Sequence, residues 1–305
     1  MKLSQKTFHL AGVVPVAGQP LDFNFPWHDC LQPIAPDYLA IEHAAVECAM
    51  AGCRSIWIVC NDDMQPLIRH RLGDYLFDYA PLREAQYRKM PDLYYKEVPI
   101  FYVPVHPDDR DKRDCLAWSL IHGAWVADST MRSLSRWVTP RKFFVSWPYG
   151  MNHALDIFKY RKRLVTDNKV IFTYNDRTAA DGDFLPFTFT LEDVRRWKNT
   201  IREKGTGKYE MDYSETAKAE PYNFKLRPMA ERYSARFFDL QDVIEFEGVE
   251  EEDLAPLPWF YNINSWEGYC EYISSEERKR IKRAPPSMLK YREFNLVGKD
   301  DEEIS

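Results

Sequence analysis

The sequence predicts an α/β protein built on a mostly parallel central sheet flanked by helices, and three observations predict it. Uninterrupted apolar runs, too continuous to be amphipathic, read as buried strands at Val13–Val16, Ile56–Cys60, Ile100–Val105, Phe143–Trp147 and Val170–Tyr174. Segments with helical spacing alternate with these runs, the order expected of crossover connections. The first unit is complete within residues 10–60: an apolar strand ending in Ala17-Gly18, a polar loop through Ile34, a helix stopped by Gly52, and a second apolar strand. Open parallel sheets receive ligands at the carboxyl ends of their strands, where Gly18 falls.

The elements follow in order. Tyr38, Ile41, Ala45 and Cys48 share one face of the first helix, and Gly52 terminates it. A second helix is predicted over about 113–127, with Leu116, Leu120 and Ala124 inward and Trp118, Ile121 and Trp125 widening the stripe. A third follows Asn152, with Leu155, Phe158 and Lys162 along one side. Thr190 and Asp193 have the spacing of a capping box, and Leu191, Val194, Trp197 and Ile201 recur at helical intervals behind it. Residues 203–222 are polar and aperiodic and read as an exposed excursion. Short strands are predicted at Ala235–Leu240 and Val243–Phe246, a solvated acidic turn at Glu250–Asp253, and a last strand at Trp259–Ile263. Ser265 caps a final helix toward Ile273. This gives one α/β domain over residues 8–283, with an added antiparallel element from the second half and a C-terminal arm at 284–305 that begins with Pro285-Pro286 and ends acidic.

Composition narrows the function classes. A chain of 305 residues can bury a large core, and 45% hydrophobic with 29% charged residues is globular. Aromatic residues make up 15%, which predicts cores and pockets lined by rings. A net charge of −6 argues against general nucleic-acid binding or an anionic membrane surface, while leaving room for one local basic groove. Six cysteines without CxxC spacing suggest neither a zinc site nor a disulfide framework. The start, Met-Lys-Leu-Ser-Gln-Lys-Thr-Phe-His, has no apolar core of a signal peptide, and no run reaches transmembrane length, so the expected compartment is the reducing cytoplasm.

Residues 10–61 carry a resemblance. Val14-Pro-Val-Ala-Gly18, then His28-Asp-Cys-Leu-Gln-Pro33-Ile34, then Ala40 through Gly52 and on to Asn61, are similar to the opening of the sugar nucleotidyltransferases (nucleotide-sugar pyrophosphorylases). Trp259-Phe-Tyr-Asn-Ile-Asn-Ser-Trp-Glu-Gly-Tyr269 resembles the strand and helix that close that family's catalytic domain. The likeness implies a GT-A-like fold and, for an active member, transfer of a nucleotide from a nucleoside triphosphate to a sugar 1-phosphate with Mg²⁺ and release of pyrophosphate. It implies nucleotide contacts at Ala17, Gly18 and Gln19, with Asn61 and Asp62 at the sheet edge.

The departures from that pattern bear on chemistry. Gly18-Gln-Pro-Leu21 has no counterpart to the family's triphosphate-binding Arg, and Asp29 stands where the family has its catalytic Lys. Tyr149 or Gly150 occupies the place of one metal-binding Asp, and Asn262 aligns near the other. Phosphoryl transfer depends on such groups to hold and neutralise developing charge.

Each candidate replacement also has an ordinary reading. Arg110 and Arg113 are the best placed to supply phosphate charge, although alternating signs over 106–114 also describe a solvated loop. His28-Asp29 suits a metal or a proton shuttle, or else an Asx turn. Asn61-Asp62-Asp63 suits Mg²⁺, or else caps the next helix. Asn262 and Asn264 offer neutral oxygens to a metal, or else bond turn backbone. The clusters at Arg161–Arg163 and Arg278–Arg283 suit an acidic partner or a solvated helix face. Trp118, Trp125, Trp137 and Trp147 suit base stacking, but their spacing assigns them to packing.

Two functional expectations follow, with a third behind them. The first is a nucleotidyltransferase acting on a nucleotide and a sugar phosphate. The second is a catalytically silent relative, a pseudoenzyme, that binds a nucleotide or serves as a structural or interaction subunit with a protein partner or as a homo-oligomer. The third is a glycosyltransferase using Asp181-Gly-Asp183 as a metal motif.

Overall fold

The structure is a computed structural model that describes residues 8–19, 24–77, 97–110, 112–136, 138–207, 209–211, 224–228, 231–232, 234–236 and 238–283. The expected arm at 284–305, Trp137, and most of the expected excursion at 203–222 lie outside the described residues.

Strand β1 (Leu10–Pro15) is buried at all six positions. It leads through β2 (Pro33–Ala35) and β3 (Tyr38–Leu39) into helix α1 (Ala40–Ala51) and back to β4 (Ser55–Cys60). Then come α2 (Gln65–Leu72), β5 (Tyr75–Phe77), β6 (Glu97–Pro104), α3 (Pro107–Arg110) and α4 (Leu116–Leu134). The middle of the chain supplies β7 (Lys142–Val145), β8 (Gly150–Met151), α5 (Ala154–Lys159), α6 (Arg161–Leu164), β9 (Ile171–Thr173) and β10 (Phe187–Phe189). The remainder forms α7 (Leu191–Lys204), β11 (Tyr209–Met211), β12 (Phe224–Leu226), α8 (Leu240–Val243), β13 (Leu254–Pro256), β14 (Tyr261–Asn262) and α9 (Trp266–Ser274).

Eight strands form one sheet in the order β13-β9-β10-β7-β1-β4-β6-β5. Its centre is parallel, with β1 between β7 and β4 and with β4 beside β6. Two strands run against the rest: β10 between β7 and β9, and β5 at the edge. The expected α/β class and added antiparallel element are both present.

The sheet is a middle layer. On one side, α1 is so enclosed between the sheet and α5 that all twelve of its residues are buried. Its alanines and cysteines make the narrow profile that such a position needs. On the other side, α4 lies against β1 and β4 with α7 beside it. A Cβ at Gly123 would stand 2.5 Å from Val59 Cγ2 and 2.9 Å from Val13 Cγ1, so only glycine allows α4 this approach. A second cluster, including Phe25, Ile34, Tyr38, Met151, Ile263 and Tyr272, ties the loop after β1 to α9. Across that region Arg71 and Arg283 both pair with Asp37 and Glu42, and Glu42 is 5% exposed.

Several elements differ from expectation for physical reasons. Tyr38 lies in β3, outside α1. Leu116, Leu120 and Ala124 are buried as expected in α4, but Trp125 is 47% exposed, because it lies outside the buried stripe that runs on through Ala127 and Met131. The third helix breaks at Tyr160 into α5 and α6; it buries Ile157, whereas Leu155 and Phe158 are half-buried and Lys162 is exposed. Ala235–Leu240 and Val243–Phe246 are not strands. Asp239 N–H donates to Asp242 Oδ2 at 2.9 Å, and the Leu240–Val243 run closes as a helical turn. Trp259–Ile263 contributes only the pair Tyr261–Asn262, bound to β8 outside the large sheet. The acidic stretch is a 3-10 turn, Glu251–Asp253, and Thr190 caps α7 as predicted.

Candidate functional site

The bend after β1 is fixed from four directions. Val16 and Ala17 N–H both donate to Val59 carbonyl, at 2.9 and 3.0 Å. Tyr149 OH donates to Val16 carbonyl at 2.9 Å, and Ser119 Oγ donates to Ala17 carbonyl at 2.5 Å. Gly18 then turns with φ of +88°, and a Cβ there would meet the Cys115 backbone at 2.5 Å. Glycine is therefore required both by the backbone angle and by contact. Ala17 has its N–H and carbonyl engaged inside the fold.

Gly18 and Gln19 line an open cavity of about 470 Å³ at the carboxyl edge of the sheet. Its floor is apolar, from Leu116, Phe184, Phe238 and Leu240. Hydrogen-bonding side chains come from Gln19, Gln241, Asn264 and Ser265, and carboxylates come from Asp181 and Asp239 at the exposed rim. Among the described residues, no lysine, arginine or histidine lines it. Size and mixed lining suit a small-molecule pocket, for which roughly 300–1,000 Å³ is usual.

The remaining predicted residues sit elsewhere. Arg110 Nη2 donates to Asp62 Oδ2 at 2.9 Å, and Arg113 Nη1 donates to Asp109 Oδ1 at 3.2 Å while stacking 4.4 Å over Trp118. Both cations are paired with neighbouring carboxylates and neither lines the cavity. Asn61 carbonyl accepts from Met64 and Gln65 N–H at the entry of α2, so Asn61 and Asp62 shape that turn and do not reach the cavity.

The positions expected to hold Mg²⁺ do not fit it. Asn262 pairs with Gly150 in the β8–β14 ladder, which brings the two aligned places together. Gly150 has no side chain, and Asn262 is a strut: its Oδ1 accepts from Phe184 N–H at 3.1 Å and its Nδ2 donates to Asp183 Oδ1 at 2.7 Å. Tyr149 is fully buried. Burial, then the nearby Asp29 carboxylate, pushes its phenol well above the ordinary range, so it stays a donor to Val16. Among the described residues no group of three His, Cys, Asp or Glu side chains is arranged to hold a metal ion.

Asp29, in the place of the catalytic lysine, is 1% exposed and lies 3.1 Å from His28 Nδ1. Burial lowers the His28 imidazole below its ordinary value, with Asp63 opposing. Asp181 is engaged as a cap, its Oδ2 accepting from Thr178 N–H and Oγ1, and Asp183 pairs with Arg177 at 2.8 Å. Arg161 closes the C-terminus of α1 through Ala49 and Met50 carbonyls at 2.7 and 3.0 Å. Sequence reasoning missed the Phe238–Gln241 wall of the cavity; its one signal was an Asp-x-x-Asp spacing at 239–242, that of a capping box.

No protein-family model and no curated protein matches the sequence. Solved structures do match the fold. A glucose-1-phosphate thymidylyltransferase of Bacillus anthracis, solved in complex with sucrose, is similar at a TM-score of 0.51 and 11% identity, over 91% of this chain and 98% of that one. A UDP-glucose pyrophosphorylase of Acinetobacter baumannii aligns at a TM-score of 0.45 and 11% identity, over 95% and 99%. The chain thus has the α/β fold of the sugar nucleotidyltransferases, as its first sixty residues lead one to expect.

Proposed function

We propose that this chain keeps the cleft of the fold as a ligand-binding site and does not carry out nucleotidyl transfer. The observation that carries the reading is that, among the described residues, the cavity lining holds no cationic side chain. Transfer from a triphosphate requires positive groups, or a metal, against the phosphoryl oxygens. Here the only charged lining residues among those described are Asp181 and Asp239 at the exposed rim, which supply no such group. The loss of acids at Gly150 and Asn262 supports the same conclusion from the metal side. What the cleft offers is amide and hydroxyl groups over an apolar floor, which suits an uncharged polar ligand.

The test is a pyrophosphate-release assay on the full chain with each nucleoside triphosphate, a panel of sugar 1-phosphates and Mg²⁺. No release is expected across the panel. Pyrophosphate produced in proportion to protein concentration overturns the reading and returns the chain to the active transferases.

A further inference from the structure

An aromatic shelf follows the cavity-lining residues in the chain. Asn264 and Ser265 line the cavity, and the next residue, Trp266, opens α9 with 41% of its surface exposed. Its ring lies 5.6 Å from Phe25 and 5.9 Å from Tyr269, and Trp27, 38% exposed, leans on Tyr269 at 6.5 Å. Phe25 and Tyr269 are each 8% exposed, so they hold the two indoles while the indoles face solvent. Tyr269 OH also donates to Pro33 carbonyl at 2.8 Å, which ties the shelf to the loop after β1. Two tryptophans kept in water by a buried support, directly beside a polar cavity, are a surface with a ligand to fit.

The chemistry of that ligand is narrowed from both sides. A nucleobase would stack on the shelf, but the phosphates joined to it would meet no cation among the described residues of the cleft. An organic cation would be drawn to indole faces and carboxylates. Yet Asp181 is already capped by Thr178, and both rim carboxylates are exposed and screened. A pyranose ring satisfies both halves of the site. Its hydroxyls exchange hydrogen bonds with amides, hydroxyls and carboxylates, and its C–H face packs on the electron-rich face of an indole.

We propose, building on the silent-binder reading above, that cavity and shelf together bind an uncharged oligosaccharide, with one ring in the cavity and the next stacked on Trp266 and Trp27. The length requirement is what separates this site from one for a single sugar. A lone ring fills the cavity without touching the shelf.

Isothermal titration of the full chain with maltotetraose, cellotetraose and N,N′,N″,N‴-tetraacetylchitotetraose, each beside its monosaccharide, tests the idea. One tetrasaccharide is expected to bind at least about tenfold tighter than its own monomer, a difference of about 1.4 kcal/mol. Trp266→Ala should abolish that advantage while leaving monosaccharide affinity in place, and Trp27→Ala should reduce it. Trp125→Ala, exposed on the α4 face beneath Lys198, should change nothing. Melting temperatures check that each variant is folded, and Trp27→Ala stands alone if Trp266→Ala is not. Three results overturn the proposal: no tetrasaccharide binds; the length preference survives undiminished in a folded shelf variant; or choline competes and binding collapses between about 0.05 and about 0.5 M salt. Failure here with no pyrophosphate in the transferase assay removes the shelf alone, whereas pyrophosphate release removes the silent-binder reading whatever the saccharides do.

Discussion

At Gly18 two constraints coincide, a positive φ and a backbone neighbour where a Cβ would go. Gly18→Ala is expected to destabilise the fold by about 2 kcal/mol or more, read as a lowered urea midpoint. A larger residue there would unfold the bend instead of cleanly plugging the cleft, so binding experiments belong on Gln19 and Gln241. Lys142 gives a prediction with a pH window. Burial, the largest influence, lowers its ammonium from 10.5 to about 8. Between those values the unfolded chain holds more protons than the folded one, so the lysine's burden is full below the folded value and lifts as pH rises through the window. Lys142→Met should therefore raise the urea midpoint at neutral pH, and the gap should close as pH climbs from about 8 toward 10.5. The freed Asn168 carbonyl belongs to an exposed residue that water can serve. Asn262→Asp would place a carboxylate against Asp183 Oδ1, where an N–H now donates. It should destabilise by about 1–3 kcal/mol near neutrality, less at low pH in thermal melts, and restore no transferase activity.

Elements were legible where their punctuation is local. The β1–α1–β4 unit announced itself because Gly18 and Gly52 bound runs of apolar residues buried on both faces. The α7 cap was readable for the same reason, since Thr190 and Asp193 satisfy each other three residues apart. Short elements were not. Phe187–Phe189 became a strand only by pairing with β7 and β9, and Leu240–Val243 became a turn of helix through its own cap. A four-residue apolar run has no period of its own to choose between the two. The basic cluster at Arg161–Arg163 shows how charge can belong to an element instead of a ligand. Arg161 donates to two carbonyls in the last turn of α1, those of Ala49 and Met50. Arg161→Ala should lower stability by about 1–2 kcal/mol in denaturant titrations without altering ligand binding.

For the whole molecule, half of the cleft was readable and half was not. Gly18 and Gln19 follow from the strand-end rule for parallel sheets, whereas the sequence offers Asn264 only as a turn residue or metal donor and Ser265 only as a helix cap. The opposing wall at 238–241 is brought in by contacts spanning more than two hundred residues, which no local pattern encodes. The missing charges were visible as absences in sequence, whereas the pairing of Arg110 with Asp62 and of Arg113 with Asp109 became visible only in the structure. The four-way contact of Arg71 and Arg283 with Asp37 and Glu42 has a practical sequel. It works as a clasp joining the last described turn to the first hairpin. A shortened protein ending before Arg283 would open that clasp and leave Glu42 a single guanidinium in a nearly dry setting. Such a truncation should melt earlier and with greater sensitivity to added salt than one that stops just after it.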